Sequence, residues 1–374
     1  MDKNTALYIH IPFCKRKCAY CDFPSFAGKE SLMLDYTKAL CEEIDYRVDK
    51  KIDTIFIGGG TPTYLSLEAL KLLKNSMDKL DKSKDLEFTA EGNPESFSIE
   101  KLQLFKEMGV NRLSIGLQAS QDTLLKALDR VHNLEQFLKA YNSARELGFK
   151  NINVDLMFGL PNQTVEQWKE TLEKVADLGV EHISCYSLII EEGTPFYKMN
   201  SKGKLLLPEE ESERQMYEYA IEFLKSKGYE QYEISNFAKK GLECRHNMIY
   251  WNLEDYYGCG SGASSYLNSI RYRNTDSIEK YIYMMEEKNN ACIEEHKNST
   301  EDDMEEFMFM GLRKLKGISE KEFEERFSVP IEYIYNKVIN KFTNNKLLIR
   351  EKGRLYLSKE GIQLSNQVMC EFIL

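Results

Sequence analysis

Three of the nine cysteines fall within eight residues, as Cys14-Lys-Arg-Lys-Cys18-Ala-Tyr-Cys21. Thiolates at this spacing can wrap one corner of a metal centre, and sulfur ligands favour zinc or iron–sulfur clusters over hard cations. A structural zinc needs four ligands and commonly draws them from paired C-x-x-C knuckles. Here one C-x-x-C is joined by an offset third cysteine, and His10 stands close enough in sequence to complete a Cys3His zinc site. A bacterial ferredoxin run has a different spacing. Three cysteines on a cubane [4Fe–4S] cluster leave one iron without a protein ligand, and an open position is what lets a metal bind and activate a small molecule. The remaining cysteines (Cys41, Cys185, Cys244, Cys259, Cys292, Cys370) are dispersed singly, which is not a disulfide framework.

Other residues could serve a ligand beside such a centre. Gly58-Gly59-Gly60-Thr61-Pro62 follows a β-rich run, where glycines let the backbone approach a ligand and present N–H groups. A tight turn is the plainer reading. Glu91, in Glu-Gly-Asn-Pro, could take two ribose hydroxyls. Gln118 could bond a ribose or an amino-acid group, and Arg130 and Asp155 a carboxylate and a hydroxyl. Strand-end polarity and an ion pair are their plainer readings. Further on stands His246-Asn-Met-Ile-Tyr250-Trp251. A neutral imidazole is a common axial ligand of heme iron, and an aromatic pair can wall a flat macrocycle. A core histidine beside two aromatics is the plainer reading here. Cys244 reads as a buried structural thiol before a thiolate ligand.

The elements that must position these residues alternate. Strands are expected at Ala6–Ile11, Thr54–Ile57, Leu86–Ala90, Arg112–Gly116, Ile152–Met157 and His182–Tyr186. Helices are expected near Ser31–Asp49, Leu67–Leu80, Ile99–Met108, Gln121–Leu128, Leu134–Leu147 and Val165–Leu178. Strand–helix alternation reads as βαβ units on a parallel sheet, and six units suit a partial (β/α)6 TIM-type barrel. Ligands of such sheets sit at the carboxyl ends of the strands, where Cys14, Gly58–Thr61, Glu91, Gln118 and Asp155 all fall. After Tyr186 come a helix near Pro208–Lys227 and an aromatic, glycine-rich stretch at Tyr229–Tyr272. Three helices (Asp303–Leu315, Glu320–Phe327, Ile331–Asn344) and a hairpin (Leu347–Ile349, Leu355–Leu357) then predict a winged-helix-like unit. The division expected is a barrel over 1–230, a connecting region over 231–300 and a C-terminal domain over 301–374.

Composition narrows the partners. The 374 residues carry 50 Lys and Arg against 60 Asp and Glu, a net charge of −10, with no long basic run. Nucleic-acid binding is therefore disfavoured, and the winged-helix-like tail reads as a packing or substrate-covering module. No secretory signal or membrane-length apolar run is visible, so a cytoplasmic location is expected. Peripheral association with a membrane stays open.

The C-x3-C-x2-C spacing, with the glycine, Glu91, Gln118, Arg130 and Asp155 motifs in that order, resembles the radical S-adenosylmethionine superfamily. Tyr8-Ile-His-Ile-Pro-Phe-Cys14, GGGTPT, EGNPE, SIGLQ, LDRVH and DLMFGLP sharpen the likeness to its HemN-like group, and extend it over most of residues 5–200 and again at 246–266. The resemblance implies a [4Fe–4S] cluster on Cys14, Cys18 and Cys21. It implies S-adenosylmethionine contacts at Tyr8, Gly59, Gly60, Thr61, Glu91, Gln118, Arg130 and Asp155. It also implies a C-terminal HemN-type domain and a reducing electron donor. Within the group, coproporphyrinogen III dehydrogenases typically have a further cysteine two residues after the third and a longer N-terminal extension. Here that position is Phe23, and thirteen residues precede Cys14. Both departures, and the H-N-x-x-Y-W motif, favour the heme-chaperone (HemW-type) branch. That branch implies heme as cargo on His246 with Tyr250 and Trp251 as walls, and acceptor hemoproteins as partners. Ser264 stands where the branch often has histidine. The dehydrogenase, or another tetrapyrrole-modifying radical enzyme, is the alternative.

Overall fold

Period-two and helical patterning alternate along the first half of the chain, and the computed structural model, which describes residues 5–374, shows the sheet this produces. Strands β1 (Ala6–Ile11), β2 (Ile52–Gly59), β3 (Lys82–Gly92), β4 (Arg112–Gln118), β5 (Asn151–Phe158) and β6 (His182–Ser187) pair in parallel in chain order. Each expected strand is found, β1 with the expected bounds and the other five extended by one to several residues. The helices between them pack on the outside. Those starting at Leu67, Ile99, Leu134 and Val165 are opened by Ser66, Ser98, Asn133 and Thr164, whose side chains accept an N–H of the first turn. Ile152, Val154 and Leu156 of β5 belong to the large core built with those helices, while Asn151, Asn153 and Asp155 alternate with them.

The sheet continues at both ends. On one side β6 meets β8 (Asn236–Ala238) and then β7 (Glu230–Glu233), both antiparallel. On the other, β9 (Tyr256–Cys259) runs parallel to β1 and is followed by β10 (Ser264–Leu267), β11 (Ile270–Asn274) and β12 (Cys292–Lys297). Among the described residues β7 and β12 are the two edges of this sheet and do not pair with each other, β7 carrying beyond it only an isolated bridge from Glu233 to Lys314, so the barrel is partial. Residues 231–300 therefore extend the main sheet.

The C-terminal part has its own apolar core, and a three-stranded sheet of β13 (Ile318–Ser319), β14 (Leu348–Glu351) and β15 (Arg354–Leu357) beside helices Glu320–Phe327 and Ile331–Asn344. The first helix here differs from the sequence expectation. It spans Thr300–Gly311, because Ser299 and Asp302 form a reciprocal capping box that starts it earlier. This unit is fastened to the barrel by Tyr266 donating to Asp303 Oδ1 (2.8 Å) and by the Arg271–Glu306 ion pair. Among the described residues no helix is long and apolar enough to cross a membrane.

Candidate functional site

The three clustered cysteines lie in the loop after β1. It is held by backbone bonds from Cys14 to Phe26 (2.9 Å) and from Ala19 to Leu128 (3.2 Å). Each sulfur has a polar neighbour. Thr61 Oγ1 donates to Cys14 Sγ at 3.4 Å, Arg130 Nη1 to Cys18 Sγ at 3.5 Å, and Cys21 Sγ lies 3.9 Å from Ser25 Oγ. All three cysteines are unpaired by disulfides. Burial pushes the Cys14 and Cys21 thiols up, so metal loading must release protons. Gly60 lies against this loop: a Cβ there would meet Ile11 O at 2.8 Å and Cys14 Sγ at 3.0 Å. Donors aimed at sulfur, a backbone too close for a side chain and three thiols in one loop fit a thiolate-held iron–sulfur cluster. They do not fit the Cys3His zinc site, because His10 is committed elsewhere. Its Nδ1 shares a hydrogen bond with Tyr8 OH (2.9 Å), its Nε2 lies 2.8 Å from Pro24 O, and burial lowers its pKa to about 4.

One residue not anticipated from the sequence ties the sulfur donors together. Asn93 Nδ2 donates to Thr61 Oγ1 (2.9 Å), and Asn93 Oδ1 accepts from Arg130 Nη2 (2.6 Å). A continuous chain thus runs Cys14–Thr61–Asn93–Arg130–Cys18. Arg130 Nη2 also donates to Gly116 O (2.8 Å). Gln118 ends β4 in the left-handed region, at φ +72°, and its amide lies beside Gly116 and Arg130, where a Cβ on Gly116 would meet Gln118 Nε2 at 2.9 Å. Asn93 sits in EGNPE two residues after Glu91; only its neighbours in space reveal its role.

The other half of the expected set faces the barrel lumen. Tyr8, Gly59, Glu91 and Asp155 line a cavity of about 240 Å³. Gly59 has φ +104°, and a Cβ there would strike the His10 ring. Burial, and then the Asp155 carboxylate, push the Glu91 pKa up to about 8. Burial also raises Asp155, which accepts from Ser114 Oγ (2.8 Å) and Asn153 Nδ2 (2.8 Å). Two hydroxyl-accepting carboxylates over a cradle without side chains suit a ribose-bearing ligand.

His246 lies at the opposite end of the same lumen, on helix Arg245–Trp251. Glu87 opens that helix, accepting from Arg245 N (3.0 Å) and His246 N (2.9 Å). The ring is 1% exposed, and both nitrogens are engaged: Nδ1 with Thr54 Oγ1 and Nε2 with Tyr250 OH, each at 2.8 Å. Burial, and then Arg112, lower its pKa to about 3. Thr54 pairs across the sheet with Glu87, four residues before Gly58, so about 13 Å of strand separates the His246 anchor from the glycine segment. Tyr250 lines the lumen, but Trp251 does not. Trp251 and Tyr250 together face a second, more apolar cavity of about 340 Å³ between β1, the glycine-rich loop and the C-terminal unit, with Ser264, Arg271 and Met310 on its walls. Phe23, 61% exposed, borders both cavities. Cys244 is buried, with its sulfur on Glu87 Oε1 (3.6 Å).

The Radical SAM superfamily model matches residues 8–175, and the HemN C-terminal domain model matches residues 298–364. A heme chaperone HemW of Bacillus subtilis (strain 168) is 41% identical over 372 residues, covering 98% of this chain and 98% of its own. The chain belongs to the HemW family. A second HemW, from Lactococcus lactis subsp. lactis (strain IL1403), is 38% identical over 375 residues, covering 100% of this chain and 98% of its own. Among solved structures, coproporphyrinogen III oxidase (HemN) from Escherichia coli superposes with a TM-score of 0.86 over 99% of this chain and 90% of that one. At 22% identity, that likeness shows the HemN-type radical SAM fold shared by this HemW-family chain.

Proposed function

We propose that this chain is a heme chaperone. It holds heme near the helix Arg245–Trp251, passes it to acceptor hemoproteins in the cytoplasm, and carries a [4Fe–4S] cluster and S-adenosylmethionine at the β1 loop. The observation that carries the reading is end-to-end relatedness, 41% over 98% of both chains, to a protein named as a heme chaperone. The geometry supports it in three ways. Cys14, Cys18 and Cys21 share one loop, with hydrogen-bond donors on two of the sulfurs. Tyr8, Gly59, Glu91 and Asp155 share one lumen. His246 and Tyr250 line that lumen, and Tyr250 and Trp251 line the apolar cavity beside it.

Cys14, Cys18 and Cys21 would hold the cluster, which when bound would supply electron transfer to S-adenosylmethionine. The chain's own residues do the rest. Glu91 and Asp155 accept ligand hydroxyls. Thr61 and Arg130 orient two thiolates. Thr54 holds His246 Nδ1 and so fixes the ring's orientation and leaves Nε2 as the metal-facing nitrogen. The low pKa keeps the imidazole neutral, as iron ligation requires. To ligate, Nε2 must exchange the Tyr250 hydroxyl for the metal, so the chaperone reading requires Tyr250 to move. The proposed division into 1–230, 231–300 and 301–374 places this exchange in the middle segment.

The test is an anaerobic heme titration of cluster-reconstituted protein beside His246→Ala, read by visible absorption. Saturable, near-stoichiometric binding with an altered ligand field in the variant supports the reading. Weak binding, identical in both proteins, contradicts it.

A further inference from the structure

The lumen holds a buried cation that has no dedicated partner. Arg112 opens β4, is 2% exposed, and lines the 240 Å³ cavity. Among the described residues its guanidinium makes one long hydrogen bond, from Nη1 to Thr89 Oγ1 at 3.5 Å, and its Nε has no partner. Two acids, Glu87 and Asp155, act on its charge without a hydrogen bond to it. Glu87 is occupied by the backbone N–H groups of Arg245 and His246 and by the Cys244 thiol. Asp155 is occupied by Ser114 and Asn153. Glu91, also in the lumen, is held near neutral by burial. Burying a cation without a hydrogen-bonded counter-charge is costly, so such a group marks a place where an anion completes the structure. A guanidinium presents paired donors that match a carboxylate.

The register shows which carboxylate reaches it. Arg112 pairs with Thr89 and Asn151, and Gly116, which touches Arg130, lies four residues further along β4. That is about 13 Å of strand. An S-adenosylmethionine whose amino-acid end lies at the cysteine loop points its carboxylate away from Arg112. The cavity is too small for a macrocycle but has room for a side arm, and it shares Tyr8, Phe23 and Tyr250 with the apolar cavity beside it.

We propose that Arg112, in the cavity that Ser184 and Asn247 also line, forms a carboxylate-binding subsite that takes a propionate arm of the heme. The identity of the arm rests on the chaperone reading; the presence of the subsite does not. The macrocycle then lies on the Tyr250–Trp251 side, and the guanidinium anchors it from within. Iron loading and the thiolate set are untouched by this contact.

The test uses full-length protein and two probes, heme and heme dimethyl ester, which differ only in free carboxylates. Wild type is expected to bind heme at least tenfold more tightly than the ester, and Arg112→Gln to bind the two alike. Because Arg112 is fully buried, Thr89→Asp is the companion variant. It places a carboxylate at the one residue the guanidinium already touches, which keeps the charge buried and paired while filling the subsite, and it too should lose the preference. Equal binding of heme and ester by wild type, or a preference retained in both variants, overturns the proposal while leaving the chaperone reading intact. Absence of any heme binding sinks the chaperone reading instead. The subsite is then judged by melting in sodium propionate against sodium chloride at matched ionic strength. Stabilisation of wild type alone supports it, and equal melting of all three proteins refutes it.

Discussion

Asn93→Ala should lower the reduction potential of the cluster without removing it. Asn93 touches no cysteine, yet it is the shared partner of the two side chains that do. Its loss frees the Thr61 hydroxyl to turn from Cys14 Sγ and removes one of two anchors on Arg130 Nη2, leaving only Gly116 O. Two hydrogen bonds vanish, one of them charge-assisted, which costs the fold about 2–4 kcal/mol. The effect on the cluster is smaller, because the sulfur donors are loosened rather than deleted. Donors to sulfur favour the more negative, reduced cluster, so weakening them lowers the potential. At about 1 kcal/mol per loosened donor the fall is roughly 40 mV for each of the two, for a one-electron couple. Asn93→Asp separates the arms. It keeps an acceptor for Arg130 but removes the donor to Thr61, so the Cys14 side alone is released. The assay is a redox titration followed by electron paramagnetic resonance on reconstituted protein, with iron and sulfide content measured in parallel. A potential within about 10 mV of wild type in Asn93→Ala, at full iron content, would refute the relay.

Other substitutions bear on the remaining parts of the account. Cys14→Ala, Cys18→Ala and Cys21→Ala should each lose stable iron and sulfide, measured after anaerobic reconstitution, since a second iron loses its ligand. Gly60→Ala drives a Cβ into Ile11 O and Cys14 Sγ; a stability loss of about 1–3 kcal/mol with reduced iron content is expected in denaturant melts and metal analysis. Glu91 binds its proton more tightly folded than unfolded, with a folded pKa of about 8 against about 4.3 in the unfolded chain. Its contribution to the stability of the ligand-free protein is therefore full at low pH and declines as pH rises through that window. Glu91→Gln should flatten this decline in melting curves taken between about pH 5 and pH 8. His246→Ala strands Thr54 Oγ1 and Tyr250 OH in the interior, so about 2–4 kcal/mol should be lost in urea melts while the iron–sulfur content is unchanged.

Much of this was legible in the sequence. Each βαβ unit announced itself by a short β-rich run and a helical pattern, and four of the helices are opened by a capping residue such as Ser66 or Thr164. Because ligands gather at strand ends, the order of Cys14, Gly59, Glu91, Gln118 and Asp155 already implied that they converge. Three features were hidden. The His246 ring is saturated by Thr54 and Tyr250, and only the tertiary path of the helix through the lumen brings Thr54 to it. Trp251 faces a different cavity from His246, since five positions along a helix turn the side chain by about 140°. Arg112 was missed, although a signal was present: Arg112, Ser114 and Gly116 alternate with Leu113, Ile115 and Leu117 along β4, as Asn151, Asn153 and Asp155 do with Ile152, Val154 and Leu156 along β5. A period-two polar face on strands whose other face is apolar marks a barrel interior built to hold a ligand. The early start of the helix at Thr300 was likewise written in Ser299 and Asp302, which the apolar periodicity alone did not weigh.

The claim that this protein hands heme on is tested most directly by a transfer assay. Reconstituted, heme-loaded protein is mixed anaerobically with an apo-hemoprotein, and movement of heme is followed by the acceptor's own absorption spectrum. An apo-acceptor trapped behind a dialysis membrane reports simple leakage. Transfer that is faster on contact than across the membrane, and impaired in His246→Ala, is the expected result. Transfer no faster than leakage, together with decarboxylation of coproporphyrinogen III by the same preparation, would contradict it and make the protein an enzyme.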